Sequence, residues 1–144
     1  MWTIECCFNS RSNNRGLLSR IPIKNWVRWL VLQKKNFEKP DETQTPPNVR
    51  VDIIKMGDVV VQKQTYQPGW QWSKHIKPIV KTNSCQVHHF GVWVQGRMRV
   101  RTDDGQEIEF GPGDVGDIPP GHDGWVIGNE PAIMYQFTGN TGKK

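Results

Sequence analysis

The sequence predicts an all-β domain closed into a small barrel, on three observations. From residue 49 onward, apolar runs of four to nine residues, rich in Val and Ile, recur at nearly regular intervals between turn signals. Gly and Pro together supply 24 of the 144 residues and sit between those runs, where they punctuate strands rather than build a low-complexity tract. No run carries the sustained 3.6-residue period of a long helix. Closing or doubling the sheet is how such a chain hides its strand edges.

The predicted strands follow in order. Residues 49–55 and 59–66 flank a turn at Gly57-Asp58, and Pro68-Gly69 ends the second strand. Trp70 and Trp72 alternate with polar residues, which places both on one face of a strand. Residues 86–94 form the next strand, then a turn at Gln95-Gly96, a strand at 98–102, and Asp104-Gly105, a strong short-range hairpin signal. Residues 106–110, 115–118, 124–127 and 132–137 complete eight or nine strands, separated by Gly- and Pro-containing turns.

Charge separates the chain into parts. Residues 1–36 hold seven basic residues against Glu5 alone, a net of +6, whereas the remainder carries a net of −1. The excess of base belongs to the extension, so nucleic-acid binding is not expected of the barrel. The extension has the Arg-rich, acid-poor composition of an organelle transit peptide. The reading expected first, however, is a disordered tail or an over-long start, or a short amphipathic helix through Trp26, Val27, Trp29, Leu30 and Leu32, with targeting as the alternative. A cytoplasmic location is expected unless residues 1–36 act as a targeting segment. Residues 37–48, with Pro40, Pro46 and Pro47, read as an extended linker to a barrel at 49–137, and 138–144 as a tail. Of three cysteines, Cys6 and Cys7 are adjacent and poorly placed to bridge each other, so no disulfide framework is expected. The longest apolar stretch, within 26–32 and broken by Arg28, falls far short of the ~20 residues of a membrane-spanning helix.

Several motifs carry a family resemblance over roughly residues 49–137. The run GVWVQGRM at 91–98, FGPGDV at 110–115 and IPPGH at 118–122 together resemble the two motifs of the cupin superfamily. PGWQWSKH at 68–75, SCQ at 84–86 and GHDGWV at 121–126 look like a subgroup of single-domain cupins whose members mostly lack an assigned activity. The resemblance implies a jelly-roll barrel, often dimeric, with a divalent metal held inside by three His and one Glu. Counting back from Gly96, the usual Glu position falls on His89, and the usual His positions fall near Cys85 or Ser84 and near Asn83 or Thr82. In the second motif the expected His position is Gly124, and His122 stands two residues earlier. None of the four positions carries its usual residue.

The residues themselves suggest a different donor set. Positions separated by even numbers on a strand share a face, so Cys85, Val87, His89, Gly91 and Trp93 point together, and the inner face is expected for them. His122 can join Cys85 and His89 from the second motif, with His75 as a fourth ligand or a group at the mouth. One sulfur and two imidazoles suit Zn, Fe, Cu or Ni better than Mg or Ca. Each residue also has a plainer reading: Cys85 as a small hydrophobe, His89 as a hydrogen-bonded interior imidazole, His122 beside Asp123 as a turn residue. His88 should face outward. Trp70, Trp72, Trp93 and Trp125 are expected to line the ligand pocket as core and rim aromatics. No activated serine, phosphate-binding loop or carboxylate pair is present to point to other chemistry.

The function expected is thus a cupin-fold protein binding a divalent metal and acting on, or sensing, a small molecule. If it is an enzyme, a metal-dependent dioxygenase- or isomerase-type activity follows from the resemblance. The alternatives are a metal-free barrel that binds a small ligand and a homodimeric interaction protein.

Overall fold

A computed structural model describes residues 32–139. The chain divides into two units, Met1–Leu32 and Gln33–Lys144, and every element below belongs to the second. The transit-peptide reading and the helix expected through Trp26 and its neighbours lie outside the described residues, Leu32 excepted.

Among the described residues, nine strands form two antiparallel sheets. The larger contains β1 (Glu42–Gln44), β2 (Val49–Met56), β3 (Val59–Tyr66), β9 (Ala132–Gly139), β4 (His89–Gln95) and β7 (Val115–Ile118), in that spatial order. The smaller contains β6 (Glu107–Phe110), β5 (Arg97–Thr102) and β8 (His122–Ile127). The order is that of a jelly roll: β9 inserts between β3 and β4, so the last strand completes a sheet begun by the first. Ten buried apolar residues from the two sheets, with Trp70, Trp72 and Cys85 from the segment between β3 and β4, form one core among the described residues.

The predicted turns hold the register. Met56 pairs with Val59, which leaves Gly57-Asp58 as a two-residue hairpin loop with Gly57 at φ +62°. The Asp104-Gly105 hairpin forms as expected, with Arg101 opposite Glu107. Arg97, Arg99 and Arg101 on β5 pair with Glu107 and Glu109 on β6 across the solvent face. These exposed pairs fix strand order more than they stabilise it.

Trp93 on β4 is fully buried and stacks on Phe110 at 4.2 Å with an 11° interplanar angle. Gly116 on β7 makes room for it, since a Cβ there would stand 2.5 Å from the Trp93 ring. Cys85 is a free, buried cysteine.

Three expectations need correction. The stretch read as a linker contains β1, because Glu42, Thr43 and Gln44 find open edge partners in Ile53, Asp52 and Val51. Trp70 and Trp72 are both buried, as the alternation implied, but they do not lie on a strand. Gln71 makes a single bridge to Trp125, and the chain then turns into α1 (Trp72–His75) and α2 (Lys77–Val80). Asp123 forces that turn by accepting from the Ser73 backbone N–H and the Gln71 side chain, both at 3.0 Å. Finally, β4 begins at His89 rather than Gln86, and β8 begins at His122 rather than Gly124.

Candidate metal centre

The main chain itself brings Cys85 to His122. Cys85 and His122 form an isolated antiparallel bridge, with Cys85 N–H donating to the His122 carbonyl at 2.8 Å and Gly121 N–H to the Cys85 carbonyl at 2.7 Å. Segment 84–86 thereby extends the free edge of β8. His122, Gly124 and Val126 alternate inward along β8 and are buried. His122 is therefore an inward strand residue, not a turn residue. His89 enters from β4, and its ring lies 5.2 Å from that of His122, centroid to centroid, edge to face.

Cys85, His89 and His122 each offer one donor atom, and these atoms all lie within 4.8 Å of one another. The Cys85 Sγ is 3.6 Å from His89 Nε2. Ligands bound at ~2.0–2.3 Å to a shared ion stand about 3–4 Å apart, so this pair already has that spacing.

Hydrogen bonds assign the tautomer of each imidazole. His122 Nδ1 lies 2.7 Å from the carbonyl oxygen of Pro119, which can only accept, so Nδ1 carries the proton and Nε2 the lone pair. His89 Nδ1 lies 2.7 Å from Oε1 of Gln136, the same oxygen that accepts from Gln64 Nε2 at 2.8 Å. The lone pair of His89 is therefore also on Nε2, the nitrogen facing Cys85. Behind Gln136 the network continues: Gln64 gives its second amide hydrogen to Gln62 at 2.8 Å and accepts from the Tyr66 hydroxyl. Burial lowers the pKa of both imidazoles, against the raising effect of the Gln136 and Pro119 bonds, and raises that of the Cys85 thiol. The metal-free centre is thus a neutral thiol beside two neutral imidazoles, and a metal would replace the thiol proton.

A cavity of about 210 Å³ opens over these three residues. Trp70, Trp72 and Trp93 line it. Trp125 does not: it points outward from β8, where the Arg101 guanidinium lies 5.2 Å from its ring centroid. It is an odd-numbered residue on a strand whose even-numbered residues face inward, and the sheet separates it from the cavity. His75 is likewise not brought to the cluster. Its Nδ1 is held by the Gln71 main chain, 3.1 Å from the N–H and 3.0 Å from the carbonyl oxygen, and its Nε2 lies 2.9 Å from the Asn48 amide, so both ring nitrogens are already engaged. His88 faces solvent, as expected, and pairs with Asp117.

A second, larger cleft of about 390 Å³ lies beside the β5–β6 hairpin, with Asp103, Asp104 and Asp117 at its edge. Each of those carboxylates is already engaged, by Ser84, Thr102 and His88 respectively. It contains none of the three clustered donors.

Gln64, Tyr66 and Gln136 are the site residues that sequence reasoning missed. The signal was there: on β9 the inward row runs Ala132, Met134, Gln136, and a glutamine in an apolar row must meet a partner.

No family model matches the chain, and no curated protein does. Solved structures do. A protein of unknown function from Rhizobium leguminosarum bv. viciae is 17% identical, with a TM-score of 0.55, over 76% of this chain and 99% of that one. KdgF from Halomonas sp. is 18% identical, with a TM-score of 0.52, over 75% of this chain and 93% of the other. A cupin-like protein from Thermotoga maritima is 16% identical, with a TM-score of 0.47, over 72% and 76%. At these identities the likeness is one of fold, and the fold of this chain is a two-sheet jelly-roll barrel.

Proposed function

We propose that Cys85, His89 and His122 hold a divalent transition metal, one of Zn, Fe, Cu or Ni, at the floor of a cavity that admits a small molecule. One observation carries this reading. Both imidazoles give their Nδ1 hydrogen to a fixed oxygen, which leaves each Nε2 lone pair free, and that of His89 stands 3.6 Å from the thiol sulfur. Ligating histidines are commonly held in this way, with the rear N–H engaged and the front nitrogen free for the ion. A bound ion would supply Lewis acidity to an oxygen of the small molecule or of water. The chain's own contributions are orientation through Gln136 and Pro119, and exclusion of water by Trp70, Trp72 and Trp93.

Elemental analysis of untagged full-length protein tests the reading. Close to one equivalent of metal is expected, falling to background in His89→Ala and in His122→Ala. Sub-stoichiometric metal that neither substitution changes would remove the reading and favour a metal-free ligand-binding barrel, which the aromatic walls of the cavity also suit.

Homodimerisation is part of the same proposal. Phe90 and Val94 on β4 and Val115 on β7 are 40%, 44% and 67% exposed, an apolar face of the larger sheet suited to a second copy. Sizing chromatography should then give a dimer, and a Val115→Lys variant should shift it to monomer.

A further inference from the structure

The cavity over the cluster is unusual in what its wall lacks. None of its lining residues is Lys, Arg, Asp or Glu. A charged group brought there would lose its hydration with no counter-charge to replace it, a cost that buried sites without partners do not meet. Nor does the wall offer many hydrogen bonds. Gln64 spends both amide hydrogens on Gln62 and Gln136, and the Tyr66 hydroxyl spends its hydrogen on Gln64. A sugar, with a hydroxyl on nearly every carbon, would leave most of them unpaired. What remains is apolar and flat, Trp70 and Trp72 with Val49, Val51, Met98 and Met134, apart from the indole N–H groups of Trp70 and Trp93, which are buried without a partner.

Size narrows the choice further. An apolar cavity of about 150 Å³ is enough for benzene, so 210 Å³ accommodates one six-membered ring with a substituent. The one place where charge is tolerated is beside the ion itself. A divalent ion with one thiolate and two neutral imidazoles carries a single positive charge, which balances one anionic oxygen.

We infer that the cavity takes a monocyclic aromatic molecule bearing one oxygen donor and no other charge, a phenol in chemical class. The ring lies among the tryptophans and the oxygen faces Cys85, His89 and His122. The placing of the oxygen rests on the metal reading; the selection of an uncharged single ring rests on the wall alone.

Titration calorimetry on the full chain, metal-loaded and metal-free, tests it with phenol, isophthalate and glucose as probes. Phenol should bind both forms with a dissociation constant of about 1 mM or lower and the loaded form roughly tenfold more tightly, whereas the other two should bind at least about 100-fold more weakly. Phenol binding to metal-free protein with isophthalate rejected supports the inference even if no metal loads. Absence of phenol binding in both forms overturns it even if metal loads fully, and so does isophthalate or glucose binding as tightly as phenol.

Two variants locate the site. Gly124 lines the cavity, and a Cβ there meets its nearest neighbours at an ordinary 3.7–3.9 Å, so a side chain can be added at this position and Gly124→Val narrows the cavity. It should abolish phenol binding and keep the metal content; phenol binding at the parental strength would place the ring elsewhere and overturn the inference. Val87 lines the mouth and is 53% exposed, so a lysine there is readily accommodated. Val87→Lys should raise benzoate affinity about tenfold relative to phenol, a factor equal to one charge partner gained. An unchanged benzoate-to-phenol ratio would refute the charge argument.

Discussion

Replacing Gln136 with leucine removes the oxygen that two buried donors share, His89 Nδ1 at 2.7 Å and Gln64 Nε2 at 2.8 Å. Gln136 is only 2% exposed, so water does not take its place. Each stranded donor costs about 1–3 kcal/mol, while the leucine returns about 1–2 kcal/mol of apolar burial. The metal-free protein should therefore lose up to about 5 kcal/mol, read as a lower urea midpoint at unchanged slope. The second effect is more specific. Without its acceptor, His89 is free to move its proton to Nε2 or to rotate, and metal affinity should fall by about 10–100-fold, as it does when the partner behind a ligating histidine is lost. Chelator competition measures this. Gln136→Glu keeps an acceptor for both donors and should retain the metal, which separates orientation of the ring from simple loss of stability. If Gln136→Leu lowers stability but leaves metal affinity unchanged within about threefold, well short of that range, then Gln136 does not orient His89 and the tautomer argument fails.

The pH dependence of the metal-free protein follows from three shifted groups. His89 and His122 have pKa values lowered by burial from the ordinary 6.5, so below pH 6.5 the unfolded chain binds more protons than the folded one. Their contribution is complete above pH 6.5 and is lost as pH falls through the folded values; a flat urea midpoint between pH 7 and pH 5 would contradict the burial of the two rings. Cys85 behaves in the opposite sense: its pKa is raised from 9.0, so its contribution is complete below pH 9.0 and declines above it, which Cys85→Ala should abolish in the same titration. Gly116→Ala forces a methyl into the Trp93 ring and should destabilise by about 1–3 kcal/mol, as overpacking does. Trp125→Ala removes only an outward ring beside Arg101, and should cost about 0.5–1 kcal/mol with phenol and metal binding unchanged. Loss of phenol binding in that variant would mean that the outer face takes part in the site.

The inward face of β4 was legible because period two is a local property: the rule that aligns His89 with Gly91 and Trp93 needs no knowledge of the partner strands, whereas Cys85 lies outside β4 and reaches the cluster through its bridge to His122. The same rule, applied to β8, separates His122 from Trp125. Composition had suggested otherwise by grouping all four tryptophans at one rim. His75 misled for another reason. A histidine four residues after Gln71 looks available on a strand, but α1 folds its ring back onto the Gln71 carbonyl and gives its other nitrogen to Asn48. The acceptors behind the ligands were harder to see. Pro119 contributes a backbone carbonyl, which no side-chain pattern reveals, and Gln136 reaches His89 only because β9 inserts beside β4. That is a contact over 47 residues.

The bridge between Cys85 and His122 has a consequence for how the centre would fill. Two of its three arms are riveted at the level of the peptide groups, so their separation is set before any guest arrives and does not depend on the guest to gather them. Uptake should then involve little rearrangement of the chain. Filled and empty protein should superpose, and the rate of capture should be governed by passage through the mouth and loss of the thiol proton rather than by folding of the pocket.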